Sequence, residues 1–283
     1  MISVDKVKLF FDEFILVPLQ NLDDPDKKLS SFSSAIRQNT LDSYLKNEAI
    51  NDDKQGKTKV YVIFEPQFQK IVCFFSLKCG AVYETDEVDD ARRMLSTDEL
   101  KLLKDLEDIR SNHPEIYSDA AKVYTETHEK GAMLVKIVDQ QVARNMDETV
   151  SDCIQHVKEV YPSIEIQHFC KCDEEVYSLP DEYNKFHLGF GLFWQKIVPK
   201  VKEIAALIGC EYLYLFAADK SDDENKHLVK HYKNNLRFND AVDIGCTLAR
   251  PIDDERCWGL IQKINCLDSE CEEAWSMFGD IGS

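Results

Sequence analysis

Residues 185–194 read KFHLGFGLFW, with Gly189 and Gly191 one residue apart and an apolar helical pattern following at once. Glycines in such a place let the backbone turn sharply into a helix, whose first N–H groups have no acceptor of their own. With the positive end of the helix dipole they make a seat for a phosphate. The same pair equally suits a plain tight turn. Upstream, SIEIQHFCKC at 163–172 carries Glu165, His168, Cys170 and Cys172. A carboxylate and an imidazole can accept protons, and a thiol can act as a nucleophile. On a strand, Glu165 and His168 are three residues apart, so strict alternation puts them on opposite faces unless a bulge intervenes.

The charge balance narrows the partners. Lys and Arg total 34 against 52 Asp and Glu, a net charge of −18, which opposes the grip on phosphates that nucleic-acid binding requires. The charge is uneven. Residues 86–161 hold 18 acidic and 10 basic side chains, whereas residues 183–238 hold 6 and 9. The glycine turn therefore lies in the positive part of a negative chain, either by ordinary fluctuation or as the seat of an anionic ligand.

Ten cysteines are present, several inside apolar runs such as IVCFF around Cys73 and IGCEYLYLF around Cys210. That pattern fits buried thiols in a reducing compartment. No paired CxxC framework accompanies CKC at 170–172 or CLDSEC at 266–271, so no metal is expected. No apolar run reaches the roughly 18 residues that span a bilayer. The N-terminal stretch MISVDKVKLFFDEFILVPL is interrupted by Asp12 and Glu13 and lacks the basic start of a signal peptide. It reads as a first strand or helix of a cytoplasmic protein with no membrane partner.

The elements that must position these residues are legible in outline. Leu41, Tyr44, Leu45 and Ala49 have helical spacing, with Asn39 or Thr40 as cap. KVYVIF (59–64) and KIVCFFSLKCGAV (70–82) form a predicted β-hairpin with both faces largely buried. STDELKLLKDLEDIRSN opens on a capping-box pair, Ser96 and Glu99, and puts Leu100, Leu103, Leu106 and Ile109 on one face. Two or three more helices carry this charged segment to about residue 160. After the strand at 163–172 and the glycine turn, the helix has Phe193, Ile197, Val201, Ile204 and Ile208 near one face. Pro199 predicts a kink, and Gly209 a stop. CEYLYLFAAD is a strand, NKHLVKHYKNN a short helix with Leu228 and Tyr232 one turn apart, and FNDAVDIGCTLARPI and CWGLIQKI two closing strands.

At this point the chain resembles the GNAT superfamily of N-acetyltransferases, whose motif is Gln or Arg, two residues, Gly, one residue, then Gly or Ala. FHLGFG matches at Gly189 and Gly191 and departs at Phe186, beside Lys185. The run IGCEYLYLFAAD…LVKHYKNNLRF is similar to the family's strand followed by a short helix with a tyrosine. Tyr232 stands at that tyrosine and Arg237 at the usual glycine. The stretch from Leu41 through KIVCFFSLKCGAV is loosely similar to the tRNA-acetylating toxins of bacterial toxin–antitoxin pairs. The resemblance covers residues 40–83 and 163–263. It implies an α/β (α+β) fold: a central mixed, mostly antiparallel sheet flanked by helices, in one domain over 1–283 with residues 86–160 as a helical insertion.

The resemblance also implies an acyltransferase that uses acetyl-CoA and no metal. The turn residues His187, Leu188, Gly189, Phe190, Gly191 and Leu192 would hold the pyrophosphate. The strand HFCKC, with Phe169, Cys170, Lys171 and Cys172, would lie along the pantetheine, a backbone N–H such as that of Cys170 stabilising the oxyanion. Tyr232 would be the general acid, against its reading as a core aromatic. Glu165 or His168 would be the base, against a structural role for His168. A covalent step on Cys170 or Cys172 is the less favoured route, direct transfer being the family norm. The acceptor would be an amine of a protein or small molecule. A tRNA is the alternative that the toxin likeness suggests and the charge of −18 opposes. A catalytically silent acyl-CoA-binding protein is a third reading, and a homodimer is compatible with the family.

Overall fold

The computed structural model describes residues 2–34, 40–84, 95–147, 159–218, 226–249 and 257–279. Asn39, residues 148–158 with Cys153, and residues 219–225 lie outside them, as does the end of the last helix predicted before residue 160. The described residues form two compact units. One comprises Met1–Val82, Tyr161–Ile244 and Leu248–Ser283, and the other Tyr83–Val160 with Gly245–Thr247.

In chain order the first elements are helix α1 (Val4–Asp12), strand β1 (Ile15–Pro18), helices α2 (Pro25–Ser30), α3 (Leu41–Asn47) and α4 (Ala49–Lys54), and strands β2 (Lys59–Phe64) and β3 (Ile71–Glu84). The predicted hairpin is the antiparallel pair β2–β3, from Lys59 opposite Leu77 to Phe64 opposite Ile71, and β1 extends it on the outer side. Three helices follow: α5 (Thr97–Asn112), α6 (Tyr117–Thr127) and α7 (Gly131–Asp147). The capping box at the head of α5 is complete. The Glu99 N–H donates to Ser96 Oγ at 3.3 Å, and the Ser96 N–H donates to the Glu99 carboxylate at 2.6 Å. Of the predicted α5 face, Leu103 and Leu106 are buried, with Tyr117, Leu134, Ile137 and Val138, whereas Leu100 is exposed.

Strand β4 (Glu159–Lys171) returns to the sheet. After it come α8 (Leu188–Leu192), a π-helical turn (Phe193–Ile197), α9 (Val198–Ile208), β5 (Tyr212–Ala218), α10 (His227–Leu236), β6 (Asn239–Asp240), β7 (Cys246–Leu248), β8 (Cys257–Lys263) and α11 (Leu267–Gly279). The sheet has eight strands in the order β1-β2-β3-β4-β5-β8-β6, with β7 on β3. Pairing is antiparallel at β1–β2, β2–β3, β5–β8 and β6–β8 and parallel at β4–β5, so the fold is a mixed, mostly antiparallel α/β sheet flanked by helices.

Three elements differ from the sequence reading. FNDAVDIGCTL is not one strand: a short turn at Val242–Ile244 separates β6 from β7. On α10 the inward residues are Val229, Tyr232 and Leu236, and Leu228 is exposed, so Leu228 does not share the buried face of Tyr232. Helix α11 is absent from the sequence reading, although it buries Leu267, Ala274 and Trp275. The Pro199 kink takes the form of the π turn, in which the Val198 N–H reaches back to the Phe193 carbonyl just before the proline that cannot donate.

The glycine turn is fixed by aromatic packing beneath it. Trp275 lies 6.1 Å from Phe186, 4.8 Å from Phe190 and 6.3 Å from Phe11, centroid to centroid. Phe186, where the family motif has a polar side chain, is fully buried in this cluster. A Cβ at Gly191 would stand 2.2 Å from the Phe11 ring, whereas one at Gly189 would meet only Phe169, at 3.9 Å. Arg237 occupies left-handed backbone (φ 60°) where the family has glycine, and its guanidinium pairs with Glu270 and Glu273 of α11. Gly191→Ala is expected to lose about 2 kcal/mol or more of stability, the scale of overpacking a filled core. Arg237→Gly sheds about 1 kcal/mol of backbone strain and ion pairs of similar worth, and should stay near the parent. Urea midpoints measure both, and a Gly191→Ala protein as stable as the parent would refute the Phe11 contact.

Candidate active site

Three features converge at the end of β4. The first is a parting of strands. Parallel pairing of β4 with β5 runs from Ser163 opposite Tyr212 to Ile166 opposite Leu215 and goes no further, although β4 continues to Lys171 and β5 to Ala218. Strand β5 keeps β8 along its whole length. Beyond Ile166, β4 keeps β3: the Cys172 N–H donates to the Val72 carbonyl at 2.9 Å, and His168 meets Ser76.

The second feature is a break in the alternation of β4. Ile164 and Ile166 pair with Leu213 and Leu215, and Leu213 pairs with Gln262, whose amide donates to the Leu236 carbonyl at the end of α10. These side chains therefore face α10. Phe169 faces the same side, 6.2 Å from Phe193, which lies 5.9 Å from Phe238. Ile166 and Phe169 are three residues apart, so one residue between them interrupts the alternation. Glu165 and His168 consequently share the opposite face.

The β3 side shows the same parity. The Tyr214 hydroxyl donates to Glu165 Oε2 at 3.3 Å, and a Cβ at Gly80 would lie 2.1 Å from that hydroxyl oxygen. Ser76, an even number of residues before Gly80, meets His168. Of the two arrangements open to Glu165 and His168, strict alternation and an intervening bulge, the interruption corresponds to the second. An isolated glycine inside a strand, such as Gly80, was the available sequence sign of a close approach.

The third feature is the turn itself. His187 is exposed, has φ 54°, and caps the helix with backbone only, not with its side chain. Leu188 and Gly189 begin the helix, where N–H groups have no acceptor within it. Gly189 is half-buried, and Leu188, Phe190, Gly191 and Leu192 are buried.

His168 is a satisfied residue. Its Nδ1 lies 2.8 Å from Ser76 Oγ, and Tyr44 stacks on its ring at 3.9 Å. Burial pushes its pKa down to about 4 against the opposing pull of the Asp52 carboxylate, which makes it a poor base at neutral pH. Tyr232 is buried on the α10 side, 6.0 Å from Phe238. Burial holds its phenol above the ordinary value, with the thiols of Cys170 and Cys73 adding to the effect.

Burial also lifts the Cys172 thiol to about 11, so it stays protonated and is a weak nucleophile. Cys170 is buried and donates to the Lys171 carbonyl at 3.6 Å.

Four of the nine basic residues of the positive segment have carboxylate partners among the described residues. Lys200 pairs with Glu203, Lys202 with Asp268, Lys233 with Asp240, and Arg237 with Glu270. Lys185 rests over the Phe186 ring at 4.8 Å. Two cavities, of about 150 Å³ beside Arg237 and Gln262 and about 380 Å³ beside Ala205 and Tyr212, include no residue of 165–172 or 187–192. Among the described residues no three His, Cys, Asp or Glu side chains group as a metal site, and no helix is long and apolar enough to cross a membrane.

No protein-family model and no curated protein matches the sequence. Solved structures do. A point mutant of the toxin AtaT aligns at a TM-score of 0.46 and 10% identity, over 91% of this chain and 93% of that one. The crystal structure of AtaTR bound with AcCoA aligns at 0.43 and 11%, over 91% and 98%. AtaT complexed with acetyl-methionyl-tRNAfMet aligns at 0.43 and 10%, over 90% and 98%.

The low pKa of His168 has a consequence for stability. The folded state refuses a proton that the unfolded chain accepts near 6.5, so the contribution is full above about pH 6.5 and is lost as pH falls toward 4. The loss is roughly 3 kcal/mol at 1.36 kcal/mol per unit. Between pH 7 and pH 4 the parent should lose about that much more stability than His168→Gln, measured by denaturation, and equal losses would refute the burial.

Proposed function

We propose that this protein is an acyl-CoA-dependent N-acyltransferase, with acetyl-CoA as donor and an amine of a protein or small molecule as acceptor. The observation that carries the reading is the parting of β4 from β5 beside the interrupted alternation. In this reading Tyr232, buried on the α10 side, and Glu165, on the opposite face of β4, flank the edge where β4 and β5 part.

In this reading the N–H groups of the turn at 187–192 hold the pyrophosphate, helped by the helix dipole. The strand edge at 168–172 pairs with the pantetheine, and a backbone N–H there, such as that of Cys170, is the oxyanion donor. The acceptor nitrogen attacks the thioester carbonyl, forming C–N as C–S breaks. Glu165 takes the amine proton. Tyr232, protonated at every working pH, hydrogen-bonds the departing sulfur, whose free thiol has a pKa near about 8.5. No nucleophilic cysteine is needed. The preference for a small or protein amine over tRNA rests on the net charge of −18 and on the local pairing of the basic segment's cations.

Calorimetric titration with acetyl-CoA tests the donor site beside Gly189→Asp. The space at Gly189 admits a side chain, so this variant should fold while its carboxylate repels the pyrophosphate. Binding by the parent and its loss in the variant is the expected result, and equal behaviour of the two would overturn the cradle. Tyr232→Phe should keep binding and lower transfer about 100-fold or more. Intact acetyl-CoA in the presence of every amine tried would favour the silent binding protein.

A further inference from the structure

The contact between Ser76 and His168 decides more than position. Ser76 lies in the middle of β3 and is fully buried, so its hydroxyl has no access to water. Its oxygen is 2.8 Å from His168 Nδ1, and that is the hydroxyl's only partner among the described residues. A buried hydroxyl proton left without an acceptor costs about 1–3 kcal/mol. The hydroxyl must therefore donate into Nδ1, which makes Nδ1 the acceptor and puts the ring proton on Nε2. A second proton on Nδ1 would turn two donors against each other.

Tyr44 closes one face of the ring, and the Nδ1 edge is turned into the sheet. His168 is only half-buried, so the rest of the ring, with Nε2–H, is the part open to a ligand. Glu165 stands on the same face of β4, past the interruption. The charged group bearing on the ring is Asp52, which is paired with Lys57 at 3.1 Å.

We propose that Ser76 fixes His168 as the neutral Nε2–H tautomer, and that His168 serves the gap as a hydrogen-bond donor to a carbonyl oxygen of the bound substrate rather than as its base. This rests on the acyltransferase reading and assigns proton removal to Glu165 alone. Ser76 is then a positioning residue, since it acts only through the ring. The ligand class is a carbonyl compound whose oxygen gains negative charge or must be oriented, a need that a neutral N–H meets without a stored charge.

The tautomer is tested without any substrate. Nitrogen-15 NMR of histidine-labelled protein, assigned with His168→Gln, should show Nδ1 as the unprotonated nitrogen and no titration between pH 5 and 9. In Ser76→Ala the signal should move toward a mixture of tautomers, and Ser76→Thr should restore the parent spectrum. A proton on Nδ1, or titration near 6.5, overturns the proposal whatever the activity.

Kinetics then tests the role. Glutamine carries an N–H close to the position of Nε2 but cannot accept a proton as a base does. His168→Leu should lower transfer about 100-fold, the scale of losing one such donor, and His168→Gln by less than tenfold. Equal losses in the two variants would make His168 a base or a scaffold and refute the donor role. A fixed Nε2–H tautomer in a protein that transfers no acyl group would refute the enzyme reading while leaving the tautomer in place.

Discussion

The arrangement of the site depends on where one ladder of hydrogen bonds stops. A buried strand does not readily give up a neighbour, because each ladder bond satisfies two backbone groups that otherwise face apolar surroundings. Here β5 leaves β4 after Leu215 while keeping β8, and β4 keeps β3. The change coincides with the interruption between Ile166 and Phe169. An extra residue in a strand bends it and increases its local twist, which is what turning away from one neighbour requires. A single irregularity thus opens the sheet and brings Glu165 and His168 onto one face.

The second constraint is low polarity. The chain is strongly acidic, yet burial favours the neutral form of three groups on β4 and α10. Burial keeps His168 unprotonated and keeps Tyr232 and Cys172 protonated. Chemistry in such a place proceeds through oriented hydrogen bonds and backbone dipoles more than through fixed charges. The basic excess of residues 183–238 is consistent with this. Four of its nine cations pair with carboxylates, two of them on the last helix, so part of the excess in composition is answered within the fold.

Local signals were legible in the sequence. The Ser96–Glu99 capping box, the β2–β3 hairpin and the Gly209 stop rest on interactions within a few residues or on a strong period, and each is found where it was read. Tertiary features were not. The interruption in β4 leaves no local mark, because Gln167 is an ordinary strand residue and the bulge exists only relative to β3 and β5. Ser76 and Tyr44 come to His168 from elements far away in sequence. Helix α11 mixes apolar and acidic residues, and it is anchored by the buried Leu267, Ala274 and Trp275. On α10, Leu228 and Val229 are adjacent apolar residues, and only the packing of the sheet decides which of them turns inward.

The two glycines that drew attention to residues 185–194 separate on physical grounds. Gly191 is required by the fold, since any side chain there meets the Phe11 ring, and Phe186 and Phe190 wedge the same turn against Trp275. The backbone at Gly189 is ordinary and the space beyond its Cα is open, with Phe169 at contact distance. At Gly189, in the first turn of the helix, packing does not require a glycine. What the missing Cβ leaves clear is the approach to the first-turn N–H groups, beside the edge of β4 that β5 has vacated. Under the proposed reading that is the path of a phosphate-bearing thioester. Packing of the core accounts for the turn itself, and the proposed ligand would account for the one glycine that packing does not need.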